Sequence, residues 1–328
     1  MIKFSVIIPL YNKAPYVRKA LDSVFAQTNK DWELIIVDDG STDNSADVVR
    51  ELVIGNSKLV NDQFRLISQP NAGVAAARNN GVAASHGEYV CFLDADDWWE
   101  PNFLEELGRL IREYPDAGLY ATNYVYYKPG KTHVALSLDR GYMNYPEAYL
   151  HSKQMPVTSI TTCMQRRVFD EMGGFPLEIK LGEDFLLWAE TALHYPIAFC
   201  EKPLAYYNND IPASHRATRN LHAPEHHMLF NLASLEEETR NLSPVTGNPS
   251  EWKALLDKLR VSGLMDYWLS DEYHAVAAAE LAKVDWSKQP NSVIRRYNSP
   301  IWLLKAKRRF MQVGSFFKQK LIKLFYKS

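Results

Sequence analysis

Three carboxylates stand within four residues, Asp94, Asp96 and Asp97, directly behind the apolar run Tyr89 to Leu93. Like charges at that density resist burial. A hard divalent cation is the usual compensation, because it prefers carboxylate oxygen and shares itself with substrate phosphates. The run before them reads as a buried strand, and strand ends in open α/β sheets are where such folds bind ligands. The spacing points to metal-assisted diphosphate chemistry; a solvated acidic turn before a helix at Pro101 is the plainer alternative. A second acidic stretch, Asp38-Asp39-Gly40-Ser41, could accept hydrogen bonds from a base imide and a ribose hydroxyl, or be a turn with Gly40 at positive φ. Asn71-Ala72-Gly73 opens an Ala-rich segment. Its first N–H groups could meet a phosphate, or simply start a helix. Arg78 on that segment could reach a diphosphate, pair with an aspartate, or lie on the surface. No G-x-G-x-x-G follows the first strand and no G-x-x-x-x-G-K-[ST] occurs in the sequence, which disfavours a Rossmann dinucleotide site and a P-loop.

The elements that must position these groups alternate. Phe4 to Ile8 reads as a strand stopped by Pro9, with a loop Pro9-Leu10-Tyr11-Asn12. A helix over roughly Pro15 to Gln27 follows, with Val17, Ala20, Leu21, Val24 and Phe25 at helical spacing. Then come a strand Glu33 to Val37, a helix of about Asn44 to Leu52, a strand Phe64 to Ser68, the helix ending near Ala84, and the strand at Tyr89. Short Ile- and Val-rich strands alternating with helices predict an α/β fold with a mostly parallel sheet flanked by helices. Right-handed crossovers gather successive strand C-termini on one edge. The Pro9–Asn12, Asp38–Ser41 and Asp94–Asp97 stretches should therefore meet in one crevice.

The chain has 328 residues, 46% hydrophobic and 23% charged, with a net charge of −2. That is ordinary for a globular protein, and nothing in the totals suggests nucleic-acid binding. Three widely spaced cysteines, Cys91, Cys163 and Cys200, indicate neither a disulfide framework nor a zinc site, and a reducing cytoplasm is expected. No signal-peptide pattern and no apolar window long enough to span a bilayer is read from the sequence.

Taken together, Val6-Ile-Ile-Pro-Leu-Tyr-Asn12, Ile36-Val-Asp38-Asp39-Gly-Ser41, Asn71-Ala-Gly73 with Ala77-Arg78-Asn79, and Phe92-Leu-Asp94-Ala-Asp96-Asp97 resemble the family 2 glycosyltransferases of GT-A fold, in order and spacing, over roughly the first 100 residues. The resemblance implies an inverting transferase that uses a nucleotide-sugar, most often a UDP-sugar, with Mn2+ or Mg2+. It implies that Pro9, Tyr11, Asn12, Asp38, Asp39, Gly73, Arg78 and Asp94 surround the nucleotide. Asp94-Ala-Asp96 is the D-x-D motif, its first aspartate facing the ribose or sugar and Asp96 carrying the metal. Chemically, a departing diphosphate needs its charge stabilised, and single-displacement inversion needs the acceptor hydroxyl deprotonated from the opposite face.

In the second half, Gly118 to Tyr127 reads as an aromatic-rich strand, and Leu181-Gly-Glu183-Asp184 opens a helix that runs through Trp188. Acidic residues in a first turn are common for reasons of the helix dipole alone. The resemblance makes Asp184 the general base and Glu183 an accessory acceptor contact. It also places His215 in a loop that can complete metal coordination, although the match there is loose.

Residues 1–220 are expected to form the catalytic domain, with a nucleotide-sugar half over 1–100 and an acceptor half over 101–220. A small helical appendage is expected over 221–297 and a basic amphipathic tail over 298–328. The sequence has no acidic residue after Asp285, and the tail mixes Trp302, Phe310, Phe316, Phe317 and Phe325 with lysines and arginines. Such segments lie on anionic membrane surfaces, which suits a lipid-linked or growing glycan acceptor and a peripheral position on the cytoplasmic face of the membrane. A helix docked on its own domain with lysines outward is the other possibility. Two rival functions remain: a sugar nucleotidyltransferase, whose Gly-rich N-terminal loop is missing here, and an inactive nucleotide-binding scaffold, against which the intact Asp94, Asp96 and Asp184 argue.

Overall fold

The computed structural model describes residues 3–54, 63–212, 221–240, 242, 248–306 and 308. The chain divides into two compact units, 1–255 and 256–328. In order, the elements are β1 (Phe4–Leu10), α1 (Val17–Phe25), β2 (Trp32–Asp38), α2 (Ser45–Ile54), β3 (Phe64–Ser68), α3 (Val74–Ala83), β4 (Tyr89–Phe92), β5 (Trp98–Trp99) and α4 (Phe103–Glu113). They continue with β6 (Leu119–Tyr127), β7 (His133–Val134), β8 (Gly141–Met143), α5 (Tyr145–His151), β9 (Thr162–Gln165), α6 (Arg166–Glu171), α7 (Glu183–His194) and β10 (Ile197–Asn208). After these come α8 (Ala233–Arg240), α9 (Pro249–Gly263), α10 (Met265–Trp268), α11 (His274–Leu281) and α12 (Asn291–Tyr297).

One sheet runs β3-β2-β1-β4-β9-β6-β10-β5, with β7 on β6 and β8 on β10. β1, β2, β3 and β4 are mutually parallel where they pair, as are β6 and β10. β9 runs antiparallel to both β4 and β6 and so joins the two parallel halves. Every residue of β2 is buried, and all of β1 except Pro9, so both faces of the central sheet are covered. Near-continuous Val and Ile runs are what such doubly covered strands require.

β1 does not stop at Pro9: Pro9 pairs with Val37 and Leu10 with Asp38. Ile7 O accepts from Leu93 N at 3.0 Å, and Leu10 O accepts from Asp39 N at 2.8 Å. Alternation along the strand therefore turns the Pro9 nitrogen toward the β4 side, where pairing ends at Ile7–Phe92. The missing N–H closes the β1–β4 ladder and leaves the β1–β2 ladder intact.

The first unit takes in residues 221–255, including α8 and Trp252, whose ring sits 6.0 Å from that of Tyr145. In the second unit Arg260 is fully buried and its Nε donates to Glu280 at 3.0 Å. Tyr297 there donates its hydroxyl to Val261 O at 3.0 Å and packs against Trp268 and Trp286. Among the described residues no helix is long and apolar enough to cross a membrane.

Candidate functional site

Because β1, β2 and β4 are parallel neighbours, the segments after Leu10, Asp38 and Phe92 leave the sheet at the same edge. Asn12 takes φ 52°, a left-handed conformation that asparagine tolerates well. Its N–H donates to Ser41 Oγ at 3.1 Å, and its Oδ1 accepts from Thr42 N at 2.8 Å. The loops after β1 and β2 are thus one hydrogen-bonded unit. Tyr11 is 46% exposed on it.

Asp38 and Asp39 are both buried, yet their carboxylates face their own chain. Asp38 Oδ1 accepts from Ser41 N at 3.0 Å. Asp39 accepts from Gln69 Nε2 at 2.7 Å, Ala72 N at 2.8 Å and Gly73 N at 2.9 Å. The Gly73 N–H, which could have met a phosphate, is given to Asp39 instead, so this carboxylate holds the residues that lead into α3. Three donors on one carboxylate satisfy most of its lone pairs and fix the β2 loop against α3.

Arg78 on α3 is the hub of the site. It is 4% exposed, donates from one terminal nitrogen to Glu183 Oε1 at 2.9 Å and from the other to Asp94 Oδ1 at 2.8 Å. Its guanidinium carbon lies 5.1 Å from the centre of the Phe175 ring. Burial acts to lower its pKa, but Asp94, Glu183 and Asp184 more than reverse this, and the net shift is upward. The next residue, Asn79, holds the Gly174–Phe175 loop by two bonds to the Phe175 main chain, at 2.8 and 2.9 Å. Two consecutive α3 residues therefore fasten the 172–184 region to the strand carrying the acidic cluster.

Glu183 and Asp184 open α7 behind Gly182, which has φ 86°. Glu183 is buried on Arg78. Asp184 accepts from Phe185 N at 2.8 Å and lies 3.4 Å from Ser159 Oγ. Burial, then the Glu183 charge, raise its carboxyl to about 7, against the opposing pull of Arg78. A carboxylate poised there can exchange a proton at neutral pH. Trp188 is a core residue with no exposed face.

In the acidic cluster Asp94 keeps 31% of its side chain exposed. Asp96 pairs with the Lys13 ammonium. Asp97 accepts from Asn208 N at 2.7 Å, and Asn208 Nδ2 donates to Asp96 O at 3.1 Å. Burial raises the carboxyl pKa of Asp96, with Lys13 opposing, and raises that of Asp97 further, with Asp96 and Asp94 adding to it. The Tyr207 hydroxyl is pushed up by burial and then by these three aspartates. Sequence reasoning passed over Lys13, Asn208 and Tyr207 as members of the site. Lys13 had a signal, being the only cation in the β1 loop; Asn208 and Tyr207, on β10, had none.

The residues fit a hard cation only in part. The donors are all oxygen, as Mg2+ or Mn2+ requires, but the Lys13 ammonium already lies on the Asp96 carboxylate. Among the described residues no three His, Cys, Asp or Glu side chains converge as a metal site. A cation here would sit on Asp96 and complete its shell from phosphate oxygens and water. His215, with the neighbouring Arg216 and Arg219, lies outside the described residues.

Residues 5–173 match the profile of Glycosyl transferase family 2. The chain is 42% identical over 122 residues to the glycosyltransferase GlyA of Streptococcus pneumoniae serotype 4, covering 37% of this chain and 17% of that protein. It is 38% identical over 120 residues to the putative glycosyltransferase EpsH of Bacillus subtilis, covering 37% and 33%. These matches span a third or less of the relatives' own length. Among solved structures, S. aureus TarS 1-349 in complex with UDP-GlcNAc superposes with a TM-score of 0.69 at 20% identity, covering 85% of this chain and 80% of that one. A mannosyltransferase from Pyrobaculum calidifontis, in complex with GDP-Man and Mn2+, gives 0.53 at 19% identity, covering 95% and 80%.

Proposed function

The chain belongs to glycosyl transferase family 2 and has the GT-A fold, and from that premise we propose that it moves a sugar, with inversion, from a UDP-sugar to a hydroxyl of a glycan or lipid-linked acceptor. The observation that carries this reading is the Arg78 bridge. One buried guanidinium ties Asp94, on the donor side, to Glu183, beside a carboxyl raised to about 7.

In this reading Asp184 accepts the proton of the acceptor hydroxyl. The acceptor oxygen forms its bond to the anomeric carbon as the bond from that carbon to the diphosphate oxygen breaks, and UDP leaves with the electron pair. Glu183, held by Arg78, orients the acceptor. Asp94 meets the ribose or sugar, and Asp96 holds Mn2+ or Mg2+, which when bound supplies positive charge at the diphosphate. Pro9, Tyr11, Asn12, Asp38, Asp39 and Gly73 shape the nucleoside end. Asp39 does so with lone-pair capacity left beyond its three internal donors, or by fixing the loop.

The uridine assignment draws on TarS, which is seen with UDP and UDP-GlcNAc. The cation draws on the mannosyltransferase seen with Mn2+, although that protein carries GDP-Man. The basic C-terminal segment would hold the enzyme on the cytoplasmic face of the membrane, near such an acceptor, in cell-surface polysaccharide synthesis. Calorimetric titration of UDP, with Mn2+ and then with EDTA, tests the donor reading on wild type and Asp96→Ala. Metal-dependent binding that the variant loses is expected. Absence of UDP binding in the presence of Mn2+ would remove uridine from the reading and bring GDP and dTDP forward.

A further inference from the structure

Lys13 has no part in the motifs, yet its ammonium lies on the carboxylate assigned above to the cation. Both side chains are largely removed from water, at 20% and 14% exposure. The main chain around Lys13 is pinned. Its N–H donates to Ser45 Oγ at 2.8 Å, and its carbonyl accepts from Tyr16 N at 2.9 Å and Val17 N at 3.0 Å. On either side, Asn12 N donates to Ser41 Oγ at 3.1 Å and Ala14 N to Asp43 Oδ2 at 3.2 Å. The flexible four-carbon stem is what can swing, carrying a compact point charge. A divalent ion at Asp96 therefore competes with an ammonium that already lies on the same carboxylate.

We propose that Lys13 is the resident counter-cation of Asp96, which a divalent ion must displace. The free protein then takes metal weakly, and metal enters together with a nucleoside diphosphate, whose phosphates receive the released ammonium. The inference rests on the reading above for the cation at Asp96, and in its second half for the donor as well. Metal affinity is reduced by the fraction of molecules in which the carboxylate is open. A diphosphate offers oxygens to the metal and an anionic partner to Lys13 at once, so the two ligands must each tighten the other.

The test is Mn2+ binding without nucleotide, followed by electron paramagnetic resonance of the free ion, on wild type, Lys13→Met, Lys13→Gln and Lys13→Arg, and then with UDP. The two neutral variants should bind Mn2+ alone about tenfold more tightly than wild type, for a pair closed in roughly nine molecules of ten. Lys13→Arg should stay near wild type, and the gain in Mn2+ affinity from UDP should shrink in the neutral variants. Equal or weaker Mn2+ binding by the neutral variants overturns the proposal. A second measurement uses unaltered protein: acylation of the Lys13 amine, read by mass spectrometry, should rise when excess Mn2+ is added, and unchanged labelling equally overturns it. If wild type binds Mn2+ but no UDP, the donor reading fails while the Mn2+-only comparison still decides the Lys13–Asp96 competition.

Discussion

In the proposed reaction Asp184 sets the pH at which the site can work. A base must be deprotonated, and a carboxyl raised to about 7 is half protonated near neutrality. With Asp184 as base, kcat/KM should climb as pH rises from about 6 to 8, with its midpoint near 7. Asp184→Asn should lower kcat by about 10²–10⁴ while leaving UDP affinity intact. A flat profile, or an active Asn variant, would remove Asp184 from that role. The same shift has a stability consequence. A folded-state pKa above the unfolded value means the native protein binds the proton more tightly, so the carboxylate costs stability as pH rises. Asp184→Asn should therefore raise Tm relative to wild type by an amount that grows from about pH 4 to about pH 7 and then levels. Arg78 is the opposite case, a buried cation that two carboxylates need. Arg78→Ala should destabilise the fold by about 3–5 kcal/mol in urea denaturation, because it strands Glu183 and Asp94 without a partner.

The turn after β2 shows how an element sets a site it does not touch chemically. Gly40 has φ +73°, and a Cβ there would come 2.9 Å from Asn71 N. Asn71 in turn donates from Nδ2 to Asp39 O at 2.9 Å, so the turn and the start of α3 are packed as one piece. Gly40→Ala should cost about 1–3 kcal/mol of stability and raise the donor KM more than it lowers kcat. Equal effects on both kinetic constants would mean the strain reaches the reacting groups. The strand–helix alternation of the first half was readable because each element carries its own signal: β2 holds the unbroken apolar run Leu34 to Val37, and α1 buries Val17, Ala20, Leu21 and Val24 on one stripe. β5 and β9 were not. Trp98–Trp99 is a two-residue strand with no period to detect. The reversal of β9 is fixed by its partners β4 and β6, and its own four residues carry no sign of it.

Across the chain, charge is divided as well as structure. Residues after Asp285 carry no acidic group, and the basic tail from residue 309 onward lies outside the described residues. A protein held at anionic lipid by that tail should sediment with phosphatidylserine-containing vesicles at low salt and release as salt rises, since screening weakens the attraction. Removal of residues 309–328 should abolish this; binding that survives the deletion would place the membrane contact elsewhere or dispense with it.

By itself the sequence determined the family, the alternation of strands and helices that leads to the site edge, and the residue types that gather there. These follow from short motifs and local periods, which every stretch of chain expresses independently. The partners of each charge were decided only by the tertiary structure. Arg78 meets Glu183 across 105 positions, Lys13 meets Asp96 across 83, and Asp39 turns inward to Ala72 and Gly73. A buried charge takes whichever opposite charge or donor the packed sheet brings within about 3 Å, and that distance exists only once the parallel strands and α3 are in place.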